Sequence, residues 1–388
     1  MQRTRSFLPS LVAGAGLSLA AILCNPAWAV PFSVNNLVTD DPMANPAQIT
    51  DPGLKNGWGM SFGPTGPFWV SSNEAGTAVL YNVNPGTQVT SKVALTVAIP
   101  GAGNPTGQVF NGNGSAFNGN LFLFVSQDGT VSGWRPSLGT SAETIVPASS
   151  ANVYTGAAIG SVAGNDYLYA ANFKAGKIDV YPGTAAQPSL PGSFTDPNLP
   201  DGYAPFNVQN LDGALYVAYA QRDNATNDEV AGAGLGVVDK FALNGDFLGR
   251  IASGGTLNAP WGMAIAPSSF GAMSGDLLVG NFGDGHINIY DPATLMPLGQ
   301  VMDASNHSVV IDGLWGISPG NDGMGGSSHL LYFAAGPNDE THGLFGVLAP
   351  VPEPSTYAMM LAGLGIVLVL VRRRAWPGEK GMAISSSS

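Results

Sequence analysis

Cysteine is almost missing from this chain. The one residue, Cys24, lies inside an N-terminal apolar run, so the rest of the sequence has neither a disulfide nor a thiol site. Charge is also sparse. Only 10% of the 388 residues are charged while 45% are hydrophobic, a balance that excludes a disordered chain. Basic residues are the scarcest: residues 30–352 hold 8 against 24 acids. Such a surface repels phosphate backbones and argues against a nucleic-acid partner.

Recognisable catalytic patterns are absent as well. The four histidines, His286, His307, His329 and His342, show neither H-E-x-x-H nor a regular zinc spacing. There is no G-x-S-x-G elbow and no EF-hand loop. NGNGSAFNGN and GNDGMGG read as Gly/Asn turns, because no Lys-Ser/Thr follows to make a phosphate loop. No catalytic residue and no cofactor is assigned, and the metal question stays open. No long amphipathic helix pattern interrupts residues 40–348, which argues for one all-β domain.

What the chain does have is glycine, 53 residues, and proline, 29, as many tight turns require. Residues 257–290 show the repeating unit: LNAPWGMAIAP, a small-residue loop, the strand DLLVGN, the turn FGDG and the strand HINIY. Alternation and the Gly-containing turn make the last part a hairpin. The unit recurs around residues 54–85, 108–134, 153–182, 203–241 and 310–348. Aligned on the residue that ends the second strand, the copies give Asn73, Gln127, Asn172, Gln221, Asn281 and Asn338. Their mean spacing of about 53 residues fits propeller blades. The expected blades are 54–100, 104–147, 151–196, 203–252, 258–302 and 310–349, within a domain spanning 30–350. The strand expected at 32–38 closes the ring as the outer strand of the last blade, which removes open edges. Three inner strands begin Trp-Gly: Trp58-Gly59, Trp261-Gly262 and Trp315-Gly316. Glycine there permits close backbone approach. The tryptophans are expected to pack between blades, with cover for the channel mouth as the alternative.

The blade pattern resembles NHL-type and related six-bladed propellers, which run P-x-G-[IM]-A, G-x-[LI]-Y-V-[AG]-[DN] and G-x-I-x-V-[YF]-[DN]. That resemblance places the six second-strand residues on the top face, near Glu74, Asp128, Asp223, Asp284, Asp339 and Glu340. Such a ring of amides and carboxylates suits a sugar or a Ca²⁺ ion; Asn and Asp are equally good turn residues.

The first 29 residues read as a signal peptide. Arg3 and Arg5 form the basic region, residues 11–23 the apolar core, and Ala27-Trp28-Ala29 the cleavage site, cut after Ala29. Ala21-Ile22-Leu23 lacks the small residue that a lipoprotein site needs just before Cys24. At the other end, Val351-Pro352-Glu353-Pro354-Ser355 precedes a single transmembrane helix expected at 356–371, then Arg372, Arg373 and Arg374. The apolar run 357–371 covers roughly 22 Å, short of a roughly 30 Å hydrocarbon core. Flanking residues and snorkelling arginines extend it. The arginines place that end in the cytoplasm and the propeller outside.

Segment 351–374 resembles the PEP-CTERM sorting signal of Gram-negative bacteria: the Pro-Glu-Pro motif, an apolar helix and an Arg cluster in order. The resemblance implies export, transient anchoring in the inner membrane and processing by an exosortase-type enzyme near Pro352, Glu353 and Pro354. The processed protein is then expected in the periplasm, at the cell surface or outside. Here the chain continues past the arginines, through a tail at 375–388. Two functions follow. One is a non-enzymatic envelope or matrix module that binds a glycan or an envelope protein. The alternative is a metal-dependent lactonase-like hydrolase resembling the gluconolactonase class. Those enzymes bring a Glu, Asn and Asp together on a metal. Asn172 and Asn281 offer the amides, but Glu74 and Glu143 fall in loops. Ice binding lacks support, as there is no flat, repetitive Thr face.

Overall fold

Short alternating strands cannot bury both faces of one small sheet, so they stack sheet on sheet. The computed structural model describes residues 30–351 and 362–368. Among these residues six antiparallel sheets follow one another along the chain. Each innermost strand packs on the next and the sixth returns to the first, so the fold is an all-β, six-bladed propeller. The innermost strands are Gly57–Ser61, Pro105–Phe110, Tyr154–Val162, Tyr203–Leu211, Pro260–Ile265 and Leu314–Pro319, in blades 1 to 6.

The ring is closed by hydrogen bonds. Phe32–Thr39 pairs antiparallel with Leu344–Pro350, from Phe32 opposite Pro350 to Thr39 opposite Leu344. It becomes the outer strand of blade 6, and Ile49–Thr50 adds to it in parallel. Buried carboxylates pin the segment that leads to blade 1. Asp40 meets Lys55, His342 and the Gly343 amide, and Asp51 accepts from Tyr81 Oη and Lys92 Nζ, both at 2.6 Å.

Blade 3 has three strands, where every other blade has at least four. After Lys177–Pro182 the chain leaves the sheet through a stretch carrying Pro182, Pro188, Pro191, Pro197 and Pro200. Without those amide hydrogens it cannot serve as a ladder strand. It anchors on blade 4 instead. Gly192 N donates to Asn244 O at 2.9 Å, Phe194 is buried, and Asp196 pairs with Arg250.

The inner strands crowd at one level, and the sequence answers with glycine. A Cβ on Gly59, Gly107 or Gly156 would overlap the next blade's Thr106 O, Ala157 N or Asn207. On Gly262 it would lie 2.5 Å from Trp315 O, and on Gly316 2.8 Å from Trp58 O. Blade 4 has Asn207 at this level, and its Nδ2 donates to Trp261 O at 2.7 Å. The pairing of the first two strands slips there in all six blades. These bulges let each strand bend against its neighbour.

The expected signal peptide at 1–29 with its site at Ala29, the motif residues Pro352, Glu353 and Pro354, the arginines and the tail lie outside the described residues. Of the helix expected at 356–371, residues 362–368 are described and are helical. Among the described residues no helix is long and apolar enough to cross a membrane.

Candidate functional site

All six inner strands run the same way, so their first side chains share one end of the channel and their last share the other. At the starting end Trp58, Trp261 and Trp315 meet on the axis. Trp58 stacks on Trp315 with ring centroids 3.7 Å apart, and Phe282 stacks on it at 3.9 Å. Trp261 and Phe206 meet Trp315 edge-on at 5.9 and 5.7 Å. All three tryptophans are at most 3% exposed. The stack of Trp58 on Trp315 and the edge contact of Trp261 with Trp315 join neighbouring blades, as expected, and Trp58 also reaches Trp261 past blade 6 at 6.4 Å. Their polar edges are tied down too: Trp261 Nε1 donates to Thr155 O and Trp315 Nε1 to Asn56 Oδ1, both at 2.9 Å. The channel is plugged at this end.

The six residues that end the second strands fall into two groups. Asn73, Asn172 and Asn281 are buried and their amides are engaged. Asn73 Nδ2 donates to Pro105 O at 3.2 Å and to Gln127 Oε1 at 3.3 Å. Asn172 Nδ2 donates to Asp179 Oδ2 at 2.7 Å and Asn152 Oδ1 at 2.9 Å, while its Oδ1 takes the amides of Val153 and Ala175. Asn281 Nδ2 donates to Thr256 O and Asp284 Oδ1, and its Oδ1 accepts from Asn258 N and Asn288 Nδ2. Gln127 and Gln221 are half-buried, the latter held in its strand opposite Tyr203 and Val230. Asn338 is exposed and donates to Thr341 Oγ1 at 2.8 Å. Of this set only Asn73 and Gln127 meet, a contact that joins blade 1 to blade 2, while Asn172 and Asn281 knit turns to strands within blades 3 and 5.

The nearby acids do similar work. Asp128 accepts from the amides of Ala102 and Thr130, Asp223 from Ala225 N, and Asp284 from Asn281 and Asn258. Glu340 accepts from Asn56 Nδ2 at 2.6 Å, and burial raises its pKa against that bond. Glu229, in the short strand Glu229–Val230 of a blade 4 excursion, is pushed up to about 7 by burial and by the carboxylates of Glu340 and Asp228. Among the described residues no group of three His, Cys, Asp or Glu could hold a metal ion.

Where the inner strands finish, the channel widens into two shallow lobes of about 270 and 340 Å³. They share Gln209, Asn210 and Ser318. Ser61, Gln108, Phe62 and Phe110 line the first, and Met263, Ile265 and Ile317 the second. Gln108 is spent on the fold: its Nε2 donates to Gly59 O at 2.8 Å and Trp69 O at 3.1 Å, and its Oε1 accepts from Ser61 Oγ. Gln209 differs. Its Oε1 is buried and meets no donor among the described residues, a state that costs about 1–3 kcal/mol. Asn210 is exposed; its Nδ2 donates to Ile159 O at 2.8 Å and its Oδ1 meets no donor among the described residues. Asp212, in the second lobe, is the one charged residue of the two linings. The chemistry here is uncharged hydrogen bonding between apolar walls, without an acid–base pair. Sequence reasoning missed this end. The available signal was a polar residue at the same step in apolar strands: Ser61, Gln209 and Ser318 each lie two residues past the crowded level at Gly59, Asn207 and Gly316.

Comparison with known proteins agrees with the fold and adds the sorting signal. Residues 350–374 match the PEP-CTERM protein-sorting motif, which marks exported proteins sorted by an exosortase-type enzyme. Two solved structures share the fold at low identity. A glucose dehydrogenase aligns at 13% identity with a TM-score of 0.51, over 82% of this chain and 100% of that one. The α-L-arabinofuranosidase Arb93A of Fusarium graminearum aligns at 12% with a TM-score of 0.50, over 82% and 98%. A much nearer relative is uncharacterized protein R648 of Acanthamoeba polyphaga mimivirus, 32% identical over 362 residues, which span 88% of this chain and 87% of that protein. The chain belongs to the family of that protein.

Proposed function

We propose that this protein is an exported, envelope-tethered propeller that works by binding rather than by catalysis, after exosortase-type processing in the segment that holds Pro352, Glu353 and Pro354. Its ligand is a glycan or another envelope component, and its tether is the apolar segment that ends at Arg372, Arg373 and Arg374. The observation that carries this reading is the channel itself. One end is filled by stacked indoles, and the other is lined by neutral amides and hydroxyls with no carboxylate–histidine constellation. Against a metal-dependent lactonase stands the use already made of Asn172 and Asn281, whose amides hold their own blades.

The test has two arms. Full-length protein is assayed on lactone and ester panels with and without added Ca²⁺, and for retention on isolated envelope polysaccharide. Retention without turnover is expected; Ca²⁺-stimulated hydrolysis would overturn the reading. Separately, deleting residues 350–374 is expected to move the protein from the envelope to the medium in a host that has an exosortase. Unchanged envelope association after the deletion would remove the tether.

A further inference from the structure

We propose that the outer edge of blade 3 is a docking site for an extended peptide of another protein, which adds as the fourth strand that this blade lacks. The proposal stands apart from the channel and from what the channel binds. Backbone accounting comes first. Lys177–Pro182 pairs on its inner side with Asn165–Asn172, from Lys177 opposite Asn172 to Pro182 opposite Tyr167. Among the described residues its outer side pairs with no strand and takes part in no other backbone hydrogen bond. Exposure agrees. The matching third strands of blades 2 and 5, Val131–Trp134 and Ile287–Tyr290, are buried throughout, whereas in blade 3 only Ile178 is. An uncovered row of alternating N–H and C=O groups is a template for another extended backbone. Blade 6 gives a precedent: it takes its outer strand, Phe32–Thr39, from a segment remote in sequence, with Phe32, Leu37 and Val38 buried.

The groove beside the edge adds selectivity. Ile178, Val180 and Pro182, on one face of the strand by their alternation, form one wall, and Pro188, Leu190 and Phe194 of the proline-rich stretch form the other. That stretch keeps its distance because its prolines cannot join the ladder and because Gly192, Phe194 and Asp196 tie it to blade 4. The space is about 230 Å³, below the roughly 300–1,000 Å³ of small-molecule sites. It suits the alternate side chains of a strand laid along the edge, an arrangement in which backbone bonds supply affinity and side-chain pockets supply specificity. No lining residue is charged, so the side chains that enter are apolar. Residues 30–352 hold 24 acids against 8 bases, so the peptide residues between them are neutral or basic.

Hydrogen exchange on the full-length protein, free and with each of a set of six-residue peptides, tests this. The peptides carry Val, Leu or Ile at every second position and Thr or Lys between; controls carry Pro at the alternate positions, or Glu in place of Lys. At least one aliphatic peptide is expected to bind and to slow exchange of the amides in Lys177–Pro182, and the controls are not. Val180→Lys, which sets a charge in the uncharged groove, is expected to weaken binding about tenfold. Leu298→Lys, on the outer strand of blade 5, should leave it unchanged. Leu190→Ala serves in case the lysine variant misfolds: it widens the groove, and preference should move from the Val peptide toward the Leu peptide. The proposal is overturned if none of the peptides binds, if the proline controls bind as well, or if both groove variants keep the parent's affinity and preference. Sedimentation is run alongside. Self-association that Val180→Lys abolishes would assign the edge to a second copy of this chain and overturn the peptide partner.

Discussion

At the end where the inner strands start, Trp58, Trp261 and Trp315 fill the axis; where the same strands finish, Ser61, Gln209 and Ser318 leave it open. Only a few residues along each strand separate the two ends, so backbone geometry alone does not account for the contrast. Side-chain choice does. Large aromatic surface at the closed end is removed from water and stacked, which stabilises the ring as a whole. The open end has small, uncharged groups, some spent on the fold and some free. One end of the channel serves stability, and the proposed binding role falls to the other.

The largest effect should come from breaking the closed end. Trp315 is fully buried and touches Trp58, Trp261, Phe206 and Phe282. Trp315→Ala should cost about 3–5 kcal/mol by denaturant unfolding and release the Asn56 hydrogen bond. A cost below about 1 kcal/mol would mean that the indoles merely fill space that water can occupy as well.

Next in size is the glycine level just inside the plug. Gly107→Ala drives a Cβ into the backbone of Ala157, with no flexible side chain to yield. Overpacking there should cost about 2–3 kcal/mol. Gly114→Ala, where nothing lies within 4 Å, is the matched control and should change stability very little. Equal effects at the two positions would remove the crowding argument.

The same contrast separates what is legible in the amino-acid sequence from what is not. The Trp-Gly pairs and the recurring strand-ending amides point to the propeller, because packing repeats with the blades and so does its residue pattern. The role of those amides is not legible. Asn172 would stand at the same spacing whether its amide faced a ligand or, as it does, Asp179 and Asn152. The open end is harder still. Its trace is faint: a polar residue two positions past the crowded level in three of the six blades, Ser61, Gln209 and Ser318, against Val109, Ala158 and Ala264 in the others. Nor does spacing reveal that Gln108 is satisfied and Gln209 is not.

A smaller effect, back at the closed end, concerns pH. Glu229 carries a folded pKa of about 7 against an ordinary 4.5. Between those values the folded protein keeps a proton that the unfolded chain has lost, so stability falls as pH rises through this window. Below about 4.5 both states are protonated and the penalty vanishes; above about 7 it is fully present. Glu229→Gln should flatten the slope and raise stability at pH 8 by about 1–2 kcal/mol, a figure discounted for residual solvent screening. A thermal-melting series from pH 5 to pH 8 checks it. An unchanged slope would assign the pH dependence to other buried acids such as Asp239, whose pKa is also raised by burial and by the neighbouring Asp196.

The smallest effect separates two glutamines at the open end. Gln108→Leu strips donors from Gly59 O and Trp69 O and should cost about 1–2 kcal/mol. Gln209→Leu removes an amide whose oxygen already lacks a donor, and without ligand it should be neutral within about 0.5 kcal/mol, or slightly stabilising. Paired denaturant titrations resolve the two. If Gln209→Leu proves the costlier, its amide is part of the fold through an ordered water, and the division of labour between the two ends fails at the residue on which it most depends.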